Sequence, residues 1–352
     1  MQPVGLYIHV PFCKRKCAYC DFFSAAAKNT EEYVRAVIRN IKAAGRKYNT
    51  VYFGGGTPSL LKAERTADIL AAANISEGAE ISVECNPDSA DFDYLCGLHS
   101  AGVNRISFGV QSLDNSELAA LGRLHDADKA IEAILSAEKA GFGNISADIM
   151  LATPMQTAES LSRTINALLE LPLTHISAYL LKVEKGTPLS LDSALLEKVP
   201  DEDSTADMYL MTAKKLSAAG FEQYEISNFA RKGFECRHNL KYWRCEEYFG
   251  VGPSAHSFLD GERFCCPADT EKFISEPLQE RVFLSWGGDP EEKAMLALRL
   301  TKEGLPLADF PEAEKRAEPL LKSGLVKKEQ GALRLTAEGC LVSNEIICRL
   351  IG

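Results

Sequence analysis

Apolar residues in the first half of the chain fall into short runs, separated by stretches with helical spacing of apolar positions. The runs predict strands at 6–10, 50–53, 80–84, 105–110, 144–150 and 175–180. The stretches between them predict helices at 30–44, 63–73, 91–101, 126–140 and 158–169. Gly102, Gly141 and the run Gly54-Gly55-Gly56 mark junctions. Strands alternating with helical crossovers make a parallel sheet, either open or part of a barrel, in one α/β core over residues 1–185. In such folds the chemistry gathers at the C-terminal ends of the strands.

The pattern then weakens. Residues 186–289 form a less regular extension, where Asp201-Glu202-Asp203-Ser204 caps a helix running to about Ala219 and a polar, aromatic stretch runs from Glu222 to Phe258. Residues 290–352 predict helix, helix, small hairpin and helix, a winged-helix pattern. This segment holds ten Lys/Arg and ten Asp/Glu, which argues against nucleic acid as a partner and for packing or protein binding.

Composition adds bounds. A hydrophobic share of 46% over 352 residues is enough for a large core, and the net charge of −10 again excludes a general nucleic-acid binder. No signal peptide and no uncharged apolar run of roughly 18 residues is visible, so a cytoplasmic location is expected, with any membrane association transient and through partners. Eleven cysteines then read as reduced thiols and metal ligands.

Cys13, Cys17 and Cys20 stand at C-x3-C-x2-C spacing on the loop after the first strand. Three thiolates leave one iron of a four-iron cluster open, which suits substrate chemistry; a structural zinc loop is the alternative, although its usual partner pair is missing. Gly55, Gly56 and Thr57 follow the second strand, where glycines let a ligand approach the backbone. Glu84 ends the third strand, Gln111 ends the fourth with Arg123 soon after, and Asp148 lies near the end of the fifth. A carboxylate in a buried strand needs a partner, and Arg123 is the candidate, whether in a functional or a purely structural ion pair. His9 reads as a packed, hydrogen-bonded histidine or as a proton donor near the reacting centre. His238, Asn239, Tyr242 and Trp243 combine a candidate metal ligand with aromatic surface, which suits a flat macrocycle or a structural corner.

The cysteine loop resembles the signature of the radical S-adenosylmethionine (SAM) superfamily, and the sequence over nearly its whole length resembles the branch containing HemW-type haem chaperones and oxygen-independent coproporphyrinogen III oxidases. The resemblance implies a partial (β/α)6 barrel with a C-terminal winged-helix-like domain. It also implies a [4Fe–4S] cluster on Cys13, Cys17 and Cys20, whose open iron is chelated by SAM. Tyr7, Tyr19, Gly55, Gly56, Thr57, Glu84, Gln111, Arg123 and Asp148 would then shape the SAM site.

The oxidase motif continues to a fourth cysteine, whereas Asp21-Phe22 follows here, and the chain starts almost at the cluster. The H-N-x-x-Y-W segment His238–Trp243 marks the chaperones and makes His238 the expected haem ligand; Gly250–His256 resembles the family's G-x-G-x-x-A-H segment. The chaperone reading implies haem, haem-accepting respiratory proteins and an electron donor such as a flavodoxin or ferredoxin as partners. The family's Asp-Leu-Met-x-Gly-Leu-Pro pattern departs to Asp148-Ile149-Met150-Leu151-Ala152-Thr153-Pro154, which puts the turn at Ala152 in question.

Overall fold

The computed structural model describes residues 2–351. Its core is six parallel strands: β1 (Val4–Val10), β2 (Lys47–Gly55), β3 (Asn74–Cys85), β4 (Arg105–Gln111), β5 (Ile145–Leu151) and β6 (His175–Leu180). The connecting helices are α1 (Thr30–Ala44), α2 (Ala63–Ala72), α3 (Phe92–Ser100), α4 (Asn115–Ala120), α5 (Ala127–Lys139) and α6 (Ala158–Leu169). Their starts follow from capping: Asp91, Asp126 and Thr157 each accept a hydrogen bond from a backbone N–H of the first turn. Helix α1 buries Tyr33, Val34, Val37 and Ile41 at helical spacing against the sheet.

The extension is part of the same sheet. It carries α7 (Pro188–Leu191), α8 (Ser193–Leu196), α9 (Glu202–Ala218), β7 (Glu222–Gln223), β8 (Asn228–Ala230), α10 (Arg237–Trp243), β9 (Tyr248–Val251), β10 (His256–Leu259), β11 (Glu262–Cys265), α11 (Thr270–Ser275) and β12 (Val282–Trp286). The order of the twelve strands is β12-β11-β10-β9-β1-β2-β3-β4-β5-β6-β8-β7. Strand β9 joins β1 in parallel, Gly5 facing Tyr248 and Tyr7 facing Gly250, and β8 joins β6 antiparallel. The barrel is therefore partial: β1 and β6 are each flanked by a strand of the extension and do not meet.

The C-terminal unit holds α12 (Pro290–Ala297), β13 (Leu305–Pro306), α13 (Pro311–Lys322), β14 (Val326–Glu329), β15 (Ala332–Leu335), α14 (Ala337–Leu341) and α15 (Ser343–Ile351). Its three strands pair in the order β13-β15-β14, giving the winged-helix-like arrangement. No helix among the described residues is long and apolar enough to cross a membrane.

Because side chains alternate across a strand, each barrel strand sends one set outward and one inward. The outward set is apolar and fully buried under the helices: Ile8 and Val10, Val51 and Phe53, Ile81 and Val83, Ile106 and Phe108, Ile145 and Ile149. The inward set is polar, and it lines the site.

Candidate functional site

The inward residues Tyr52, Glu84, Arg105, Ser107, Gly109, Gln111, Asp148, Met150, Ser177 and Tyr179 line a cavity of about 450 Å³ at the C-terminal ends of the strands. That volume lies within the usual range for small-molecule sites. Cys13, Cys17, Tyr19, Cys20, Gly55, Gly56, Thr57 and Arg123 line the same cavity. Five polar lining residues, Arg105, Ser107, Asn86, Ser177 and Tyr179, were not singled out from the sequence. The signal was present in the period-two polar spacing of Arg105-x-Ser107 and Ser177-x-Tyr179 inside otherwise apolar strands.

Backbone contacts hold the cysteine loop. Cys13 N–H donates to Ala25 O at 3.0 Å, Ala18 N–H to Leu121 O at 3.0 Å, and Leu189 N–H to Ala18 O at 2.8 Å. The glycine run packs directly beneath it: Gly56 N–H donates to Val10 O at 2.8 Å and Thr57 N–H to Phe12 O at 2.7 Å. A Cβ on Gly56 would lie 2.8 Å from Phe12 O and Val10 O, so glycine is what allows this approach. Thr57 Oγ1 lies 3.5 Å from Cys13 Sγ and accepts from Asn86 Nδ2 at 3.1 Å.

Arg123 donates to Gly109 O and Asn86 Oδ1, both at 2.7 Å, and to Cys17 Sγ at 3.5 Å. Its expected partner, Asp148, instead accepts from Ser107 Oγ at 3.1 Å and is bonded by Ser177. This corrects the Arg123–Asp148 pairing: the guanidinium is already committed to the loop side of the cavity. Burial raises the Asp148 pKa, and Ser177 and Arg105 oppose the rise. Glu84 accepts from Tyr52 OH at 2.8 Å; its pKa is pushed up to about 7, first by burial and then by Asp148.

Glu84 makes stability pH-dependent. Unfolded, it loses its proton near 4.5; folded, it holds it to about 7. Its contribution is thus complete below the lower value and is lost as pH rises through the upper one. Urea midpoints of the cluster-free protein from about pH 5 to about pH 7 should fall less in Glu84→Gln than in the native chain. Equal falls would show that Glu84 is ionised throughout.

Tyr7 OH meets His9 Nδ1 at 3.1 Å, and His9 Nε2 meets Phe23 O at 3.0 Å, so His9 is a packed, fully bonded histidine at the end of β1. Tyr7 itself is half-buried beside Tyr52. Burial raises the pKa of Tyr7 and of Tyr19. Gln111 and Ala152 both adopt left-handed backbone, with φ of 68° and 59°. The turn in question is therefore kept without glycine, helped by the Ala152 N–H donating to Gln156 Oε1 at 2.7 Å, at a cost of about 1–2 kcal/mol.

The His238–Trp243 segment lies on helix α10. Helix α10 plugs the lower barrel, and His238 is wholly buried there. His238 Nδ1 meets Thr50 Oγ1 and Nε2 meets Tyr242 OH, each at 2.8 Å, so both ring nitrogens are occupied. Burial drives its pKa down to about 3. Trp243 packs with Tyr224, Leu240 and Leu300 under the Arg299 guanidinium, away from the cavity. Of the four residues, only Asn239 lines the cavity.

Among the described residues no group of three or more His, Cys, Asp or Glu is arranged to hold a single metal ion. A cluster has a wider footprint, and three sulfurs on one loop facing one cavity fit it.

Residues 7–168 match the family model of the radical SAM superfamily. The chain is 36% identical to the haem chaperone HemW of Mycobacterium tuberculosis, over 100% of this chain and 95% of that one. It is 34% identical to HemW of Bacillus subtilis, over 98% of each. Among solved structures, the coproporphyrinogen III oxidase HemN of Escherichia coli superposes with a TM-score of 0.81, covering 99% of this chain and 90% of that one at 21% identity. That last likeness concerns the fold.

Proposed function

Since the chain belongs to the HemW family of the radical SAM superfamily, we propose that it is a haem chaperone: it binds a [4Fe–4S] cluster, SAM and haem, and passes haem to respiratory enzymes. The single observation that carries the choice of branch is the end of the loop, where Asp21-Phe22 follows Cys20 and the loop itself has three cysteines and no fourth.

In this reading Cys13, Cys17 and Cys20 hold the cluster, and SAM occupies the cavity between Gly55–Thr57 and the ends of β3 to β5. The bound pair supplies one-electron cleavage of a carbon–sulfur bond. The backbone at Gly55 and Gly56 admits a polar group at close range. Glu84, poised near neutrality, exchanges hydrogen bonds with hydroxyl groups. Arg123 keeps the Cys17 sulfur and the β4 end in register. Direct use of His238 as a haem ligand requires its bond to Tyr242 to open. The proposed setting is cytoplasmic, with electrons from a flavodoxin- or ferredoxin-type donor and any membrane contact made through the recipient.

The test splits one anaerobically reconstituted sample between a haem titration and an assay with coproporphyrinogen III and SAM. Stoichiometric haem binding without protoporphyrinogen supports the chaperone. Turnover of coproporphyrinogen overturns it and makes the chain an oxidase with a three-cysteine loop.

A further inference from the structure

Resting on the cluster reading above, we propose that Asn86 is a positioning residue for the [4Fe–4S] site. It ties the donors on Cys13 and Cys17 into one hydrogen-bonded bridge, and so raises the potential at which the site accepts its electron. The bridge runs from sulfur to sulfur. Arg123 Nη1 donates to Cys17 Sγ at 3.5 Å, and Arg123 Nη2 donates to Asn86 Oδ1 at 2.7 Å. Asn86 Nδ2 in turn donates to Thr57 Oγ1 at 3.1 Å, and Thr57 Oγ1 lies 3.5 Å from Cys13 Sγ.

The chemistry of each group fixes its direction. A guanidinium only donates, so the Asn86 atom that meets Arg123 is the carbonyl oxygen, and the amide nitrogen faces Thr57. Thr57 accepts from that nitrogen, which leaves its single O–H to point at Cys13. Without Asn86 the hydroxyl is free to turn away from the sulfur. Arg123 is less dependent, because Gly109 O also holds it at 2.7 Å. Control by Asn86 is therefore strongest on the Cys13 arm.

The backbone holds Asn86 for this role. Pro87 follows it and favours extended backbone, and Asn86 has φ −90° and ψ 138°. Its N–H donates to Ser59 Oγ at 3.2 Å, and its carbonyl accepts from Ser89 N–H at 3.0 Å and Ser89 Oγ at 3.2 Å. The two serine hydroxyls meet at 2.6 Å. Asn86 is thus clamped between the turns Pro58–Leu60 and Pro87–Ser89, which follow β2 and β3. One electron from an external one-electron donor adds a single negative charge to the site and no proton. Sulfurs that accept hydrogen bonds carry that added charge at lower cost.

The experiment is an EPR-monitored reductive titration of the reconstituted full-length chain without SAM. Asn86→Ala should keep native iron and sulfide content and native circular dichroism. It should lower the reduced-to-oxidised ratio at a fixed potential about tenfold, a fall of about 59 mV in the midpoint for one electron. Thr57→Val should shift the midpoint the same way, and the double variant should add little to either single change. An unchanged midpoint in Asn86→Ala, or shifts that simply add, would overturn the bridge while leaving the cluster reading intact. If Asn86→Ala assembles no cluster, Thr57→Val decides: a lowered midpoint there sustains the proposal and a native one overturns it. Failure of the native chain itself to assemble a cluster would overturn both.

Discussion

Cys17→Ala should abolish the visible absorbance of the cluster and its iron and sulfide content after anaerobic reconstitution, while far-UV circular dichroism stays native. Two remaining sulfurs do not hold a four-iron cluster whose last iron is reserved for SAM. The loop itself should survive. Its anchors are backbone bonds at Cys13, Ala18 and Ala25, none of which uses the Cys17 side chain. Only the 3.5 Å contact with Arg123 disappears, and that guanidinium keeps Asn86 and Gly109 as partners. The urea midpoint should therefore shift by no more than about 0.5 kcal/mol in stability. Full iron and sulfide loading of the variant would sink the assignment of Cys17 as a ligand.

The largest stability loss is expected at the barrel floor, from Glu80→Ala. Glu80 is 6% exposed and Arg105, facing the same interior, is 1% exposed. Burial opposes the Arg105 charge, while Cys236 and Glu80 favour it. The Cys236 thiol is itself pushed up to about 12 by burial. The Glu80 carboxylate accepts the N–H groups of Arg237 and His238, each at 3.0 Å, at the start of α10. Removing it leaves two helix N–H groups without their acceptor and takes a carboxylate from the neighbourhood of a buried guanidinium, and should cost about 2–5 kcal/mol by urea denaturation. Glu80→Gln, which keeps an acceptor but not the charge, should fall between the two. A Gln variant as stable as the native chain would show that the carboxylate acts only as a cap.

The local pattern made the core legible. Helices α1 and α6 and strand β6 run over the same residues that periodicity and capping mark, because each is decided by its own apolar face and its own end groups. The start of β3 is not: Asn74–Gly78 lacks alternation, and those residues become a strand by pairing with β2 at Lys47 and Tyr48. Strands β7 to β11 are two to four residues long, too short for any period to show. The same limit governed the histidines. Spacing placed His238 in a motif, but whether its nitrogens are free depends on Thr50, which is 188 residues away in sequence.

The pairing of β1 with β9 orders events during synthesis. Residues 4–20 leave the ribosome well before the strand that covers the free edge of β1, which ends at Val251. At roughly 5–20 residues per second, the two emerge more than about ten seconds apart. For that interval three thiols hang on an unfinished sheet edge, open to oxidants and to any factor that inserts iron and sulfide. The cysteine loop is thus born early and enclosed late.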